Sequence, residues 1–352
     1  MAVLDAGGDG RADARPVALV TGMGRGIGRA IAWALADAGF DVAGCDLARD
    51  AEAEATLDGL ARRGARAAFV ACDVAELDRH AALLEAARAL SGRLDCLVSN
   101  AGVPAVRRGD LLELRPEDFD RVMAVNLRAP FFLAQAVARS MLADAPGAAP
   151  RSIVTVSSIS ATHASPERAE YCLSKSALPM MTRLLALRLA AAGIAAWEVR
   201  PGIVRTPMTA PVAARYDAAI ADGLVPAGRW GEAADVGRTV AALATGALPF
   251  ATGEAVHVDG GLHVARLEQA LAAGARGRRR RMRPDARGRP RAAAARRPGG
   301  LRRRPARPPL APGTPPGCAR RAWPRRAPRR PAAGAGRGRR PPGRRARSRR
   351  TR

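Results

Sequence analysis

The sequence predicts an α/β fold, a single doubly wound domain of the Rossmann type in which helices cover both faces of a seven-stranded parallel sheet. Two observations predict it. Seven short, continuously apolar segments alternate along the chain with longer segments in which apolar residues recur at helical spacing. Strands that are apolar on both faces are typical of parallel sheets buried between two layers of helices.

The strands are predicted at seven apolar runs, which span 17–20, 42–45, 67–71, 96–98, 152–156, 195–199 and 255–258. Helical periodicity lies between them, near 26–38, 50–63, 76–90, 117–142, 168–192 and 232–245. Parallel strands need a crossover connection, and the helix between successive strands provides it.

Residues 206–230 depart from this alternation. The segment is long and begins with Thr-Pro-Met-Thr-Ala-Pro. A long excursion late in an open α/β sheet is often a mobile lid over the ligand, and an ordered surface excursion is the alternative. The sequence leaves both open.

The net charge of +26 is concentrated at one end of the chain. Residues 266–352 hold 31 basic residues, 2 acidic residues and 14 prolines, whereas residues 1–265 hold 27 basic and 30 acidic residues. We therefore predict a disordered leader at 1–15, a folded domain at 16–265 and a disordered Arg/Pro-rich tail at 266–352. Because GC-rich codons yield Arg, Pro, Gly and Ala in any frame, we interpret the tail as a frame-shift artefact. A basic arm for nucleic acid or acidic membranes is the alternative.

Several classes of protein are disfavoured by composition. No apolar run reaches the roughly 18 residues of a membrane helix, and the first residues lack the apolar core of a signal peptide. The five cysteines show no CxxC spacing, which favours reduced thiols and a cytoplasmic location. The four histidines are scattered, so no metal site is expected.

A glycine-rich turn connects the first predicted strand to the first helix, with the sequence Thr21-Gly22-Met23-Gly24-Arg25-Gly26-Ile27-Gly28. Glycines permit a tight turn and close backbone approach, and the helix N-terminus faces a pyrophosphate. The turn therefore predicts a dinucleotide site. Its expected contacts are Thr21, Gly22, Arg25, Gly26, Ile27 and Gly28.

Asp46 ends the second predicted strand, where a carboxylate accepts hydrogen bonds from both ribose hydroxyls of NAD and repels the 2′-phosphate of NADP. Arg25 argues for NADP, because a basic residue in the turn can meet that phosphate. We give Asp46 more weight, since the strand end is the direct ribose contact. The predicted cofactor is NAD, with NADP as the alternative.

Tyr171 and Lys175 form a Tyr-x-x-x-Lys pattern on a predicted helix. Lys175 is the only lysine of the chain, and Tyr171 is one of two tyrosines. One helical turn apart, the two side chains share a face, so the lysine charge is expected to pull the tyrosine pKa from about 10 toward neutrality. Such a tyrosine can protonate the alkoxide that forms when a ketone accepts a hydride. An isolated pair of this kind usually faces solvent. Here, however, every other Lys or Arg position is Arg, and Lys is kept only at 175. This favours a role that the bulkier, always-protonated guanidinium of Arg cannot fill.

With the Thr-Gly-x-x-x-Gly-x-Gly turn and Ser99-Asn100-Ala101-Gly102, these motifs resemble the short-chain dehydrogenase/reductase family over about 16–264. The resemblance implies four catalytic residues, which are Asn126, Ser158, Tyr171 and Lys175. It implies further cofactor contacts at Asp73, Val74, Asn100, Ala101, Gly102, Tyr171, Lys175, Pro201, Gly202, Ile203 and Thr206. It also implies a homotetramer, with no specific nucleic-acid or membrane partner for the folded body.

Within the family, the residues around Tyr171 and the run Val258-Asp259-Gly260-Gly261 resemble the 3-oxoacyl-(acyl-carrier-protein) reductase group. That resemblance implies reduction of a β-keto thioester, as in fatty acid biosynthesis. Asp46 favours NAD instead of the usual NADPH, and the body lacks the basic patch that an acidic carrier protein requires. An NAD-dependent sugar or alcohol dehydrogenase is therefore the alternative. A non-enzymatic nucleic-acid- or membrane-binding protein that acts through its tail is a distant one.

Two weaker candidates lie in loops. Arg107 and Arg108 follow the Asn-Ala-Gly turn, where they either attract an anionic substrate or are simply solvated. His163 either lines the substrate pocket or is an ordinary loop histidine.

We expect a chain that ends at residue 265 to fold, oligomerise and keep the kcat/KM of the full chain. Residues 266–352 have almost no apolar surface to pack, so ordering them gains nothing that offsets the entropy cost. Salt-sensitive retention on heparin should disappear with them. Kinetics, light scattering and heparin chromatography of the two chains test this, and loss of catalysis with an intact fold would contradict it.

Overall fold

The seven predicted strands form one parallel sheet in a computed structural model, which describes residues 15–145 and 149–265. The sheet strands are β1 (Val17–Thr21), β2 (Asp41–Asp46), β3 (Ala67–Ala71), β4 (Cys96–Ser99), β5 (Arg151–Val156), β6 (Ile194–Pro201) and β9 (Ala255–Val258). Their order across the sheet is β3-β2-β1-β4-β5-β6-β9, and every neighbouring pair is parallel. The predicted fold class is confirmed. The order reverses between β1 and β4, which opens a crevice at their carboxyl ends.

Helices cover both faces of this sheet. They are α1 (Gly26–Asp37), α2 (Ala51–Arg62), α3 (His80–Ser91), α4 (Pro116–Met123), α5 (Ala129–Ala143), α6 (Ala169–Leu189), α7 (Ala213–Ala221) and α8 (Ala233–Ala244). Alternate residues of β1 point to opposite faces: Val20 packs in a core with α1 and α8, and Leu19 in a core with α3 and α5. Both strand residues are fully buried, as a sheet enclosed on both sides requires.

The helix predicted at 117–142 is not continuous. A wide π-helical turn, Ala124–Arg128, separates α4 from α5, and the Ala129 N–H bonds back to the Ala124 carbonyl. Pro130 explains the interruption, because proline has no N–H to donate and its ring clashes with the carbonyl four residues earlier, that of Asn126. The predicted catalytic asparagine thus lies in the irregular turn.

The segment 206–230 contains regular structure that the sequence did not predict. A short turn, Ala210–Val212, leads into α7, and two short strands, β7 (Val204–Arg205) and β8 (Gly231–Glu232), pair at its base. A small separate core, to which Ile220 and Trp230 belong, holds it together. Similarly, the helix predicted near 76–90 begins only at His80, after a tight turn at Leu77–Arg79.

The predicted tail, and the leader apart from its last residue, lie outside the described residues. Arg15, which we assigned to the leader, donates hydrogen bonds to the carbonyls of Ala36 (2.8 Å) and Gly39 (3.0 Å) and packs on the domain. In the described ranges, no helix has the length and apolar character that crossing a membrane demands. Cys45, Cys72, Cys96 and Cys172 are free thiols.

Candidate active site

The carboxyl ends of β1 and β4 are joined by a set of buried hydrogen bonds. The Thr21 hydroxyl oxygen accepts from the backbone N–H groups of Asn100 and Ala101, both at 3.0 Å. The Asn100 side-chain amide donates to the carbonyls of Thr21 (2.9 Å) and Gly22 (3.2 Å). Two predicted cofactor segments are therefore held against each other at the point where the strand order reverses.

The glycine-rich turn has the backbone that its sequence predicts. Gly22 and Gly26 have φ values of +68° and +57°, which side chains rarely tolerate. At Gly28, a β-carbon would lie 1.8 Å from the Gly22 carbonyl oxygen, so only glycine lets α1 approach the turn. No side chain caps α1 and no acidic residue lies in its first turn, which leaves its N–H groups available. These features fit a bound pyrophosphate.

Asp46 lies beside this turn. One carboxylate oxygen accepts from the Gly24 N–H (3.0 Å) and the other from the Leu47 N–H (2.9 Å). A side chain at position 24 would collide with that carboxylate, since its β-carbon would lie 2.8 Å from an oxygen. Arg25 is exposed. The carboxylate is thus fixed at the edge where a dinucleotide ribose would lie.

Asp73 and Val74 follow β3 at the same end of the sheet. Asp73 accepts from the Ala75 N–H (2.9 Å), and its second oxygen pairs with Arg121 of α4 at 2.7 Å. Val74 is buried, and its carbonyl lies 2.9 Å from a ring nitrogen of His80. The carboxylate that we predicted to contact adenine therefore already has a cationic partner.

Asn126 is buried in the π-helical turn and connects three segments. Its carbonyl oxygen accepts from the Val103 N–H (2.8 Å), and its amide donates to the Val103 carbonyl (3.0 Å) and the Ser174 hydroxyl (3.1 Å). A β-carbon at Gly102 would lie 3.2 Å from the Asn126 oxygen and 3.5 Å from the Lys175 amine. Asn126, Gly102 and Lys175 therefore lie close together.

Lys175 is buried on α6, and its amine donates to the Val156 carbonyl at 3.2 Å. Burial lowers its pKa to about 8, against the opposing effect of the nearby Glu198 carboxylate. That carboxylate accepts from the Ser157 hydroxyl (2.5 Å) and pairs with Arg200 at 2.6 Å. Lys175 is thus poised to gain or lose a proton near neutral pH.

Tyr171 is half-buried, and two cations lie near its ring. The Lys175 amine is 5.8 Å and the Arg168 guanidinium carbon 5.5 Å from the ring centre. Burial raises the pKa of Tyr171, while the Ser158 hydroxyl and the Arg168 charge act in the opposite direction. We expected Lys175 to lower this pKa toward neutrality. Instead, desolvation outweighs the opposing effects, and the cation that lowers the pKa is Arg168, which sequence reasoning missed.

Ser158 lies two residues after the end of β5, next to Tyr171. It is buried, and its hydroxyl oxygen accepts from the Ser160 N–H at 3.1 Å, which holds its side chain in place. The neighbouring Ser157 turns the other way, toward Glu198. Of the two serines, Ser158 alone lies near the Tyr171 hydroxyl, in agreement with the predicted spacing.

The turn Pro201-Gly202-Ile203 lies against the end of β9. The Gly202 N–H donates to the Val258 carbonyl at 3.0 Å, and a β-carbon at Gly202 would lie 2.6 Å from that of Asp259. Thr206 follows, with its N–H bonded to the Thr209 hydroxyl at 3.1 Å. A β-carbon at Gly26 would lie 3.9 Å from Thr206, so this segment faces the glycine-rich turn.

The two weaker candidates, Arg107 and His163, have different surroundings in the structure. Arg107 is paired with Asp118 at 2.8 Å, and so is Arg115 at 2.9 Å, so Arg107 is not a free anion site. His163 is exposed, with a ring nitrogen 3.1 Å from the Thr162 hydroxyl.

The expectation of scattered histidines is wrong for two of them. His257 and His263 stack with ring centres 3.8 Å apart. Asp259 lies 2.8 Å from a His263 nitrogen and 3.7 Å from a His257 nitrogen. Each of the three residues offers one atom of a type that can bind a metal ion, and these atoms lie within 4.8 Å of one another. The sequence did carry a signal for this cluster: the three residues lie within seven positions of each other, at the end of the last strand.

Comparisons with known proteins agree with this geometry. A family model described as Enoyl-(Acyl carrier protein) reductase matches residues 22–263. The chain is 34% identical over 247 residues to the 2-dehydro-3-deoxy-D-gluconate 5-dehydrogenase of Dickeya dadantii, which covers 70% of this chain and 94% of that protein.

Solved structures match as well. A 3-oxoacyl-[acyl-carrier protein] reductase from Brucella melitensis, in complex with NAD, is 55% identical with a TM-score of 0.70; the match covers 72% of this chain and 99% of that one. A putative 2-deoxy-D-gluconate 3-dehydrogenase from Agrobacterium tumefaciens, with bound NADP, is 33% identical with a TM-score of 0.64, over 73% and 100% of the two chains.

We expect Lys175 to titrate with a midpoint near 8, because burial penalises its charged form. It is the only lysine, so selective carbon-13 labelling gives one side-chain signal whose shift can be followed against pH. Glu198→Gln should lower the midpoint further, since that carboxylate favours the charged amine. Unfolded protein is the control, with a midpoint of about 10.4; the same midpoint in the folded protein would contradict the burial argument.

Proposed function

The chain is an oxidoreductase of the short-chain dehydrogenase/reductase family, and we propose that it interconverts a ketone and a secondary alcohol by hydride transfer with NAD. One observation carries the proposal. Asn126, Ser158, Tyr171 and Lys175 converge at the carboxyl ends of the strands, where the glycine-rich turn also lies. A domain that served only as a scaffold would have no need for this set.

The residues supply the proton chemistry. When bound, the nicotinamide accepts or supplies the hydride. The Tyr171 hydroxyl donates the proton to the alkoxide oxygen in reduction, and its raised pKa keeps it protonated at neutral pH, as that direction requires. The Ser158 hydroxyl, fixed by the Ser160 N–H, orients the substrate oxygen.

Lys175 and Asn126 complete the proposed proton path. With a pKa of about 8, the Lys175 amine gains and loses protons near neutral pH, where Tyr171 must be reprotonated after each reduction. Asn126 is fixed to Val103 and Ser174 and lies beside Gly102, against which the Lys175 amine also rests. The family resemblance implies a water held by this asparagine, which would link Lys175 to solvent.

Asp46 supports NAD as the preferred cofactor. Its carboxylate is held by two backbone N–H groups beside the glycine-rich turn, where it meets ribose hydroxyls and repels a 2′-phosphate. The Brucella melitensis relative is in complex with NAD, whereas the Agrobacterium tumefaciens relative has bound NADP. NADP stays the alternative, with Arg25 as its proposed contact.

Two substrate classes have support. A 3-oxoacyl thioester is favoured by the 55% identity to the Brucella melitensis reductase. A sugar acid is favoured by the Dickeya dadantii relative and by the charge near the site. There Asp118 pairs with both Arg107 and Arg115 and offsets one of their two charges, and Asp73 pairs with Arg121, so acidic residues reduce the basic surface that an acidic carrier protein requires.

We further propose that the chain forms a homotetramer through α5 and α6. These two helices expose large apolar side chains, which a partner subunit would cover. They are Phe131, Phe132, Leu142, Leu173, Met180, Leu184 and Leu187. A cytoplasmic location, and the lack of a nucleic-acid or membrane partner for the folded body, stay predictions from composition.

Tyr171→Phe should abolish turnover and leave NAD binding nearly unchanged, because it removes the proton donor and little volume. Tyr216→Phe is the matched control: this only other tyrosine packs edge-to-face on Trp230, a contact that phenylalanine preserves. Steady-state kinetics with NADH and a panel of ketones, together with NADH binding, test the pair. More than a few per cent of activity in Tyr171→Phe would place the acid elsewhere.

Asp46→Ala should narrow the preference for NAD over NADP, because it removes the repulsion of the 2′-phosphate. The measurement is the ratio of kcat/KM for the two cofactors. Asp50→Asn is the control, since Asp50 lies nearby but caps α2 through the Ala53 N–H. A native preference for NADP would assign the dominant role to Arg25.

A further inference from the structure

Arg168 lies beside the proposed proton donor and is used by none of the chemistry above. It immediately precedes α6 and lies one turn before Tyr171. Its guanidinium carbon is 5.5 Å from the centre of the Tyr171 ring, and the side chain is half-buried. An arginine thus lies over the ring of the proposed proton donor.

Arg168 has no strong acceptor among the described residues. Its two hydrogen bonds, to the hydroxyls of Ser160 and Ser165, are both 3.4 Å long. Neighbouring arginines are different: Arg121 lies 2.7 Å from Asp73, and Arg107 lies 2.8 Å from Asp118. A guanidinium carries five N–H donors, so most of the hydrogen-bonding capacity of Arg168 is unused.

The acids next to Arg168 in sequence do not neutralise it. Glu167 lies 3.7 Å from Arg215, and both side chains of this pair are exposed. Glu170 is buried, and neither glutamate makes an ion pair with Arg168 within 4.0 Å. A partly desolvated and unpaired cation favours an anion, and the start of α6 adds the positive end of a helix dipole.

We infer that Arg168 binds a carboxylate of the substrate, which makes the substrate a short oxo acid or hydroxy acid. A guanidinium receives a carboxylate in two parallel hydrogen bonds, and the hydroxyls of Ser160 and Ser165 add two donors at the same place. Because Arg168 lies over the ring of the tyrosine whose hydroxyl would meet the reacting oxygen, a carboxylate bound by Arg168 would be only a few bonds from the reacting carbon. A neutral thioester carbonyl would leave the guanidinium unpaired.

This inference rests on the proposed function and chooses between its two substrate classes. It favours the sugar-acid class, and more generally acids over acyl thioesters. The pairing also acts on Tyr171: the Arg168 charge lowers the tyrosine pKa, so a bound carboxylate that neutralises this charge would keep the phenol protonated for donation.

The test compares acids with neutral partners of matched shape. D-Gluconate and D-glucitol are offered with NAD, and acetoacetate and ethyl acetoacetate with NADH, to the full-length protein. We expect the acid of at least one pair to have the higher kcat/KM, by about 10- to 100-fold, as a charge-assisted hydrogen bond gives. Arg168→Gln should remove this advantage, mainly through a higher KM for the acid, so that acid and neutral partner reach similar kcat/KM values in the variant.

Two variants control for structure and charge. Arg215→Gln removes an exposed arginine of the same rim and should leave the acid advantage intact. Arg168→Lys keeps the charge without the planar fork and should recover part of the advantage. Calorimetric titration of D-gluconate into the NADH-bound protein, and of acetoacetate into the NAD-bound protein, gives complexes that cannot react, so the readout does not depend on turnover; Arg168→Gln should weaken Kd by the same factor.

The outcomes separate this inference from the proposed function. Equal kcat/KM for acid and neutral partner, or no binding of either acid, would overturn the assignment of Arg168. Turnover of the neutral ketones with NADH would then still support the proposed hydride transfer. Loss of the acid advantage in Arg215→Gln instead of Arg168→Gln would place the anion site outside the crevice.

Discussion

The hydrogen bonds between the ends of β1 and β4 are the constraint on which the rest of the site depends. Four hydrogen bonds of 2.9 to 3.2 Å join Thr21 and Gly22 to Asn100 and Ala101 across the point where the strand order reverses. Thr21 is only 3% exposed, so water cannot replace a lost partner. Leaving a buried group of this kind unpaired costs about 1–3 kcal/mol. The glycine-rich turn and the Asn-Ala-Gly segment therefore keep one relative position.

From this junction, contacts lead to the proposed catalytic residues. Gly102, two residues after Asn100, leaves room for both the Asn126 oxygen and the Lys175 amine. Asn126 is held in turn by the backbone of Val103 and by Ser174 of α6. These contacts therefore position α6, which carries Tyr171 and Lys175, at the same carboxyl edge of the sheet as the proposed nucleotide site. This happens although α6 is far from the glycine-rich turn in the sequence.

Burial sets the protonation of the site. It lowers the pKa of Lys175 to about 8 and raises that of Tyr171, because the charged form of each group loses hydration. Both groups are therefore uncharged more often than they would be in water, and the remaining fixed cation near the tyrosine is Arg168. This distribution of charge suits a protonated phenol that donates its proton. It also suits an anionic substrate, whose negative charge would balance that of Arg168.

The sequence by itself determined the fold class and most of the candidate site. Seven apolar runs and the helical periodicity between them specified a parallel sheet, because burial on both faces leaves no room for alternating polarity. The glycine-rich turn, Asp46, and the Tyr171–Lys175 spacing are local patterns, whose geometry follows from backbone freedom and helical pitch. Only the tertiary structure decided what depends on distant neighbours: the π-helical turn at Asn126, the helix within 206–230, and the stacked His257 and His263. The same holds for the raised pKa of Tyr171, and for Arg168, which has no carboxylate partner within 4.0 Å in the described part of the chain. Desolvation and ion pairing depend on which side chains surround a group, and the linear order of residues does not specify those neighbours.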